Sequence, residues 1–189
     1  LLAQAQQTPP PKQQRDLKLE TEIKKTPEPK PPAAAPAIPR SYALVVGIAH
    51  YKNLPESAQL SFPERDAESI YSILISPEGG NFRAENVHRL IGAKATRENL
   101  RKELEEWLPS VTKDDDRVLI YFAGHGFVHR GRAFLAPYDI SPDNISATGY
   151  PMDDLGQVFG SKIKGKWKVM LTDSCHSGSI TPADDAPQA

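Results

Sequence analysis

Two rhythms of apolar residues alternate through the middle of the chain: short continuous runs, and longer stretches where apolar side chains return every third or fourth position. A continuous run reads as a strand buried on both faces, and the helical period as an amphipathic helix. Residues 42–48, YALVVGI, are the first such run. After a loop over residues 50–60, Pro63 opens a helix at its first position, where a backbone N–H would lack an intrahelical partner anyway. Ala67, Ile70, Tyr71 and Leu74 line one face of it, and Pro77 with Gly79-Gly80 stops it. Val87–Ile91 predicts a second strand, and Thr96 caps a second helix whose Leu100, Leu104, Trp107 and Leu108 share a face until Pro109. Arg117–Ala123, RVLIYFA, is the third buried strand, running into Gly124-His125-Gly126. Residues 132–136 read as a short extended piece, 137–151 as a polar loop and 152–159 as a short helix. The stretch KWKVMLTDSCHSGS, residues 166–179, then carries a buried strand through Val169, Met170 and Leu171 into a polar turn. Strands alternating with helices predict an α/β fold around a parallel sheet.

Composition narrows the function without naming it. With 189 residues, 39% of them hydrophobic, and a formal charge of −1, the chain can hold one domain with a substantial core. Near-neutral charge without a basic cluster argues against nucleic acid as a partner. No apolar run approaches the roughly 20 residues that span a bilayer as a helix, so no transmembrane segment is expected. Residues 1–39 form a proline-rich linker or tail, in which Leu17, Leu19 and Ile23 have the alternation of an edge strand. Residues 1–5, LLAQA, resemble the end of a signal peptide. That reading makes the protein exported, periplasmic or secreted; a chance match leaves it cytoplasmic. Asp114-Asp115-Asp116 reads as a solvated turn rather than a metal site, because consecutive carboxylates diverge.

The candidate chemistry gathers at strand ends. Cys175 is the only cysteine of the chain and follows the last apolar run, at the sheet edge where ligands bind in open α/β folds. A free thiol, pKa about 8.5, is only a few per cent thiolate near neutral pH, so a nucleophilic cysteine needs a base beside it. His125, just past another buried strand, can supply one if the two strands are adjacent and parallel. The flanking glycines leave room for substrate to approach the backbone. His50, His88, His129 and His176 read as bystanders. The two-residue period of a strand puts Asp173 on the face of Cys175 and Ser174 on the other. The backbone N–H groups of Gly126 and Cys175 are the natural donors to a developing oxyanion.

YALVVGIAHYKN, YFAGHG and LTDSCHSGS together resemble the caspase-like cysteine peptidases, in particular the metacaspase and bacterial caspase-homologue branch, over residues 41–179. His125 precedes Cys175 by 50 positions, the separation found in caspases. The resemblance implies a caspase-like catalytic domain over residues 40–189, a three-layer α/β sandwich with a mainly parallel central sheet. It implies an endopeptidase working through an acyl-enzyme thioester, with His125 and Cys175 as the dyad. Asp173 stands where true caspases carry glutamine, and Asp66, in SFPERDAESI, matches a second acid of the metacaspase pattern. Two carboxylates in one pocket suit a substrate Arg or Lys before the cut, whereas aspartate would meet like charge. No cofactor is required for this chemistry. Calcium activates many members of the branch, but the matching place here holds Thr181-Pro182 with Asp184 and Asp185 displaced, so no metal ligands are assigned. The chain reads as a large catalytic subunit whose sheet is completed by a small-subunit chain or a further C-terminal segment. The alternatives are a catalytically silent caspase-like adaptor and another thiol enzyme. The intact His125 and Cys175 weigh against the first, and the paired acids and the lack of a resolving cysteine against the second.

Overall fold

The computed structural model describes residues 39–174. The readings made for the amino-terminal tail, for Cys175 and His176, and for Thr181, Pro182, Asp184 and Asp185 lie outside the described residues. Within them the chain runs through strand β1 (Ser41–Gly47), helix α1 (Pro63–Ile75), strand β2 (Val87–Ile91), helices α2 (Arg97–Arg101) and α3 (Leu108–Val111), and strand β3 (Arg117–Ala123). It continues through β4 (Gly126–His129), β5 (Arg132–Leu135), α4 (Ile145–Thr148), β6 (Tyr150–Pro151), α5 (Met152–Gln157) and β7 (Trp167–Asp173). The main sheet has the order β2-β1-β3-β7 with every pair parallel, so the strand carrying Asp173 lies directly beside the strand that leads to His125.

The continuous apolar runs become central strands because both of their faces are covered. β1 is buried along its whole length. Ala43, Val45, Tyr121 and Ala123 face Ala67 and Leu74 of α1 on one side. On the other, Tyr42, Leu44, Val46, Ile120 and Phe122 pack against Leu100, Leu104 and Leu108 and against Leu155 and Val158. Helices on both faces make a three-layer α/β/α sandwich, and each fully buried Leu or Ile in it contributes about 1.5–3 kcal/mol. Gly47 marks where α1 crosses the end of β1: a Cβ there would lie 2.5 Å from the Pro63 carbonyl and 2.6 Å from the Ala67 methyl. Only the absence of a side chain lets the helix sit so close.

Four expectations change. The second helix, capped as expected by Thr96, whose hydroxyl accepts the Asn99 N–H, does not stop at Pro109. It passes through a π-helical stretch, Lys102–Trp107, into α3, and ends at Val111. The wide turns shift the carbonyl that the proline ring would otherwise meet. Second, residues 126–135 fold back as a hairpin, β4 on β5, which β6 extends into a small antiparallel sheet. Its two-residue turn, Arg130-Gly131, has φ of 51° and 77°, the left-handed pair that matches strand twist. Third, the polar loop before residue 152 contains α4, and the helix after it continues beyond Phe159 as a π-helical turn, Val158–Lys162. Fourth, β7 is only half-buried on one side and open on the other: Trp167, Val169 and Leu171 are 61%, 45% and 44% exposed. They project on the α1 side of the sheet, where nothing among the described residues covers them.

Asp116 also departs from the solvated turn expected of it. It is 4% exposed and holds Arg40 through two hydrogen bonds, Nε to Oδ1 at 3.2 Å and Nη2 to Oδ2 at 2.8 Å. Its Oδ2 accepts the Lys113 N–H, and its carbonyl accepts from Lys166 and Trp167. One residue thus ties together the starts of β1, β3 and β7. Asp114 and Asp115 are exposed, as expected.

Candidate active site

The connection leaving β1 travels over one face of the sheet through α1, and that leaving β3 over the other through α5. A crevice therefore opens between the carboxyl ends of these strands, the usual ligand site of an open α/β sheet. His125 stands there, just after β3. Its backbone is fixed by the Tyr51 hydroxyl, which accepts the His125 N–H at 2.7 Å, and by its own carbonyl, which accepts the Ala136 N–H at 2.9 Å. Its ring lies between Tyr51 and Phe127, at centroid distances of 5.1 and 5.8 Å.

The ring has one nitrogen committed. Nε2 lies 2.7 Å from the carbonyl oxygen of Ala58. A carbonyl can only accept, so Nε2 carries the hydrogen, and in the neutral ring Nδ1 is left as the base. The residue after Ala58 forms a clip. Gln59 accepts the Tyr51 N–H at 2.6 Å and donates to the carbonyls of Tyr51 and Leu54 at 3.2 and 2.9 Å. The loop after β1 is thereby closed around His125. Tyr51 is 4% exposed, and burial pushes its phenol well above the ordinary range.

An open cleft of about 540 Å³ begins at His125 and is bordered by Phe62, Asp66, Gly124, Asp173 and Ser174. Both acids singled out in the sequence thus line one cleft with the histidine. Asp66 comes from the first turn of α1 and Asp173 from the last residue of β7, paired in register with Ala123. Their fields meet at Tyr121, whose phenol is raised first by burial, then by Asp173 and by Asp66. Ser174, expected on the opposite side, also borders the cleft, because β7 ends at Asp173 and the strand period does not extend past it. Its hydroxyl is buried without a hydrogen-bond partner among the described residues.

The two glycines around His125 differ. At Gly124 a Cβ would lie 2.6 Å from the Tyr51 hydroxyl, so the missing side chain makes room for the group that holds His125, while its backbone borders the cleft. Gly126 pairs with Leu135 in β4. Since the His125 carbonyl accepts the Ala136 N–H, the trans peptide between His125 and Gly126 turns the Gly126 N–H away from β5. His50 is exposed near Glu64, and His88 is stacked on Trp107 at 3.5 Å with Nδ1 2.7 Å from Glu103, both away from this cleft. Cys175 follows Ser174 directly and lies outside the described residues. Among the described residues no group of three or more His, Asp or Glu side chains converges as a metal site, and no helix is long and apolar enough to cross a membrane.

Tyr51, Ala58 and Gln59 were not singled out from the sequence. A backbone carbonyl has no sequence signal, and the one available hint was that a loop leaving β1 must face the same sheet edge as His125.

The caspase domain family matches residues 40–189, which takes in every element described above. No curated protein matches the chain. The parallel sheet between two helical layers agrees with that fold, and the match covers most of the sequence: the chain belongs to the caspase domain family of cysteine peptidases.

Proposed function

We propose that the protein is a cysteine endopeptidase that cleaves after Arg or Lys, with Cys175 as nucleophile and His125 as its base. The observation that carries this reading is the shared cleft of His125, Asp66 and Asp173. Nδ1 of His125, free because Nε2 is engaged by Ala58, takes the thiol proton as Sγ attacks the scissile carbonyl. The N–H groups of Gly126 and Cys175 receive the oxyanion. The same Nδ1–H then protonates the departing amine, leaving a thioester that water, deprotonated by His125, hydrolyses. Substrate Arg or Lys places its cation between two carboxylates, and Arg gains planar paired hydrogen bonds.

The organisation of the branch belongs to the same proposal. β7 pairs only with β3 among the described residues, and its open edge flanks an apolar stripe of Trp167, Val169 and Leu171. An open apolar edge invites a further strand, and a small subunit or C-terminal segment of the metacaspase type fits it, with the chain made as a zymogen. The chemistry in this scheme needs no metal, and calcium is given no ligands in it.

The test is hydrolysis of peptides with Arg or Lys before the cut, together with labelling by an arginyl chloromethylketone. Wild type is expected to turn over and to be labelled at Cys175, and Cys175→Ala to do neither. Turnover retained in Cys175→Ala would overturn the dyad. A wild-type protein that is neither active nor labelled would favour the adaptor reading.

A further inference from the structure

His125 also lines a second cavity, separate from the acidic cleft. This one measures about 180 Å³ and is lined, besides His125, by Leu54, Ala58, Phe127, Ile140, Pro142 and Ile145. Every one of those side chains is apolar. Ile140 is fully buried at its floor, while Leu54 and Ile145 are half-buried. An apolar cavity of about 150 Å³ is known to take a benzene molecule, so this space can hold one branched aliphatic side chain. It offers an incoming charge no partner except the imidazole edge, so a charged side chain would be desolvated at a cost.

Resting on the peptidase reading above, we propose that this cavity is the subsite for the residue that follows the cleaved bond, and that it selects a branched aliphatic side chain there. The argument is positional. His125 borders both spaces, the acidic cleft and the apolar cavity, which share no other lining residue. The acidic cleft takes the residue before the bond. The leaving amine receives its proton from His125, so the chain beyond the bond must cross the imidazole. The other concavity that His125 borders is this one, walled by the loop after β1, by β4 and by the start of α4. The preferred bond is therefore a basic residue joined to Leu, Ile or Val.

The experiment uses the full active protein and peptides with Arg fixed before the bond and Leu, Gly or Asp after it. An N-acyl-arginine methyl ester, which has no side chain on its leaving group, is run in parallel. Wild type is expected to cleave before Leu at least about tenfold faster than before Gly, in kcat/KM, and slowest before Asp. Ile145→Phe and Leu54→Phe each fill the cavity from half-exposed positions and are expected to bring the Leu-to-Gly ratio within each variant close to one. A wild-type ratio near one, a ratio that neither variant moves, or a change confined to preferences before the bond would overturn the subsite while leaving the peptidase intact. Failure to hydrolyse the ester would overturn the peptidase reading, and the subsite with it.

Discussion

The imidazole of His125 is anchored by a backbone atom: its Nε2 donates to the carbonyl of Ala58 at 2.7 Å, and the next residue, Gln59, is pinned by its side chain to the backbone of Tyr51 and Leu54. The usual third member of a catalytic array is a carboxylate that orients the histidine and stabilises its cation. A neutral carbonyl fixes the tautomer as firmly but supplies less charge. That suits a thiol nucleophile, which is acidic enough to need only a modest base.

Gln59→Ala should therefore affect both fold and rate. Three hydrogen bonds are lost, at a net stability cost of about 2–3 kcal/mol. The loop that carries the Ala58 carbonyl is loosened as well, and alkylation of Cys175 by iodoacetamide is expected to slow by about tenfold or more, short of the full ~10²–10⁴ contribution of general acid–base catalysis. Gln59→Glu keeps an acceptor for the Tyr51 N–H and should fall between the two. A loss of stability with no change in alkylation rate would make Gln59 a structural clip alone.

Asp66→Asn and Asp173→Asn should each lower kcat/KM for arginyl peptides by roughly 10- to 100-fold, the worth of one hydrogen bond to a charged partner. The effect should sit mainly in KM. Because both carboxylates would contact one guanidinium, the double variant is expected to lose less than the product of the two. The same variants give a reading that needs no substrate: each removes a negative charge that raises the Tyr121 phenol, so its ultraviolet titration should move down, further for Asp173→Asn. If the Tyr121 titration stays put, the two acids do not share its surroundings.

The frame of the molecule was legible because continuous apolar runs have few alternatives: residues 42–48 and Arg117–Ala123 could only be central strands, and they are. The acids were legible for different reasons. Asp173 was legible as the polar residue that closes an apolar run at the edge of the sheet, whereas Asp66 came from a resemblance. What stayed hidden depends on contacts distant in sequence. Tyr51 reaches His125 across 74 positions, and Arg40 reaches Asp116 across 76. The β4–β5 hairpin was missed because Arg130-Gly131 lacks the Asn or Asp that usually announces such a turn. The apolar face of β7 reads like that of any core strand, and only the sheet order shows it uncovered.

Asp116→Ala tests the clasp at the opposite end of the sheet from the site. Removing a buried carboxylate leaves Arg40 without its partner and the Lys113 N–H without its acceptor. Breaking a fully buried ion pair costs about 3–5 kcal/mol. Arg40 is about half exposed, so roughly 2–3 kcal/mol is expected here, measured by urea unfolding. Asp116→Asn, which preserves the acceptor, should lose less. If the two substitutions cost the same, the charge and not the hydrogen bonding holds the clasp.

Stability should also decline at alkaline pH through the buried phenols. Tyr51 and Tyr150 are both raised, primarily by burial, and the Tyr150 hydroxyl donates to Glu105 at 3.1 Å. A phenol whose value is higher in the folded chain contributes stability that is complete below the unfolded value of about 10. As pH rises past that point, the unfolded chain loses the proton while the folded chain retains it. Stability then falls by about 1.4 kcal/mol per pH unit for each such phenol, until the folded chain ionises as well. Tyr150→Phe removes one of them away from the cleft, and the decline above about pH 10 should become shallower by that amount per unit. Tyr51→Phe should flatten it similarly but begin from a lower stability, since the His125 N–H loses its acceptor, at about 1–3 kcal/mol. Urea unfolding of the wild type and both variants between neutral pH and the alkaline limit supplies the slopes. Parallel declines in all three would mean that neither phenol is held protonated by the fold.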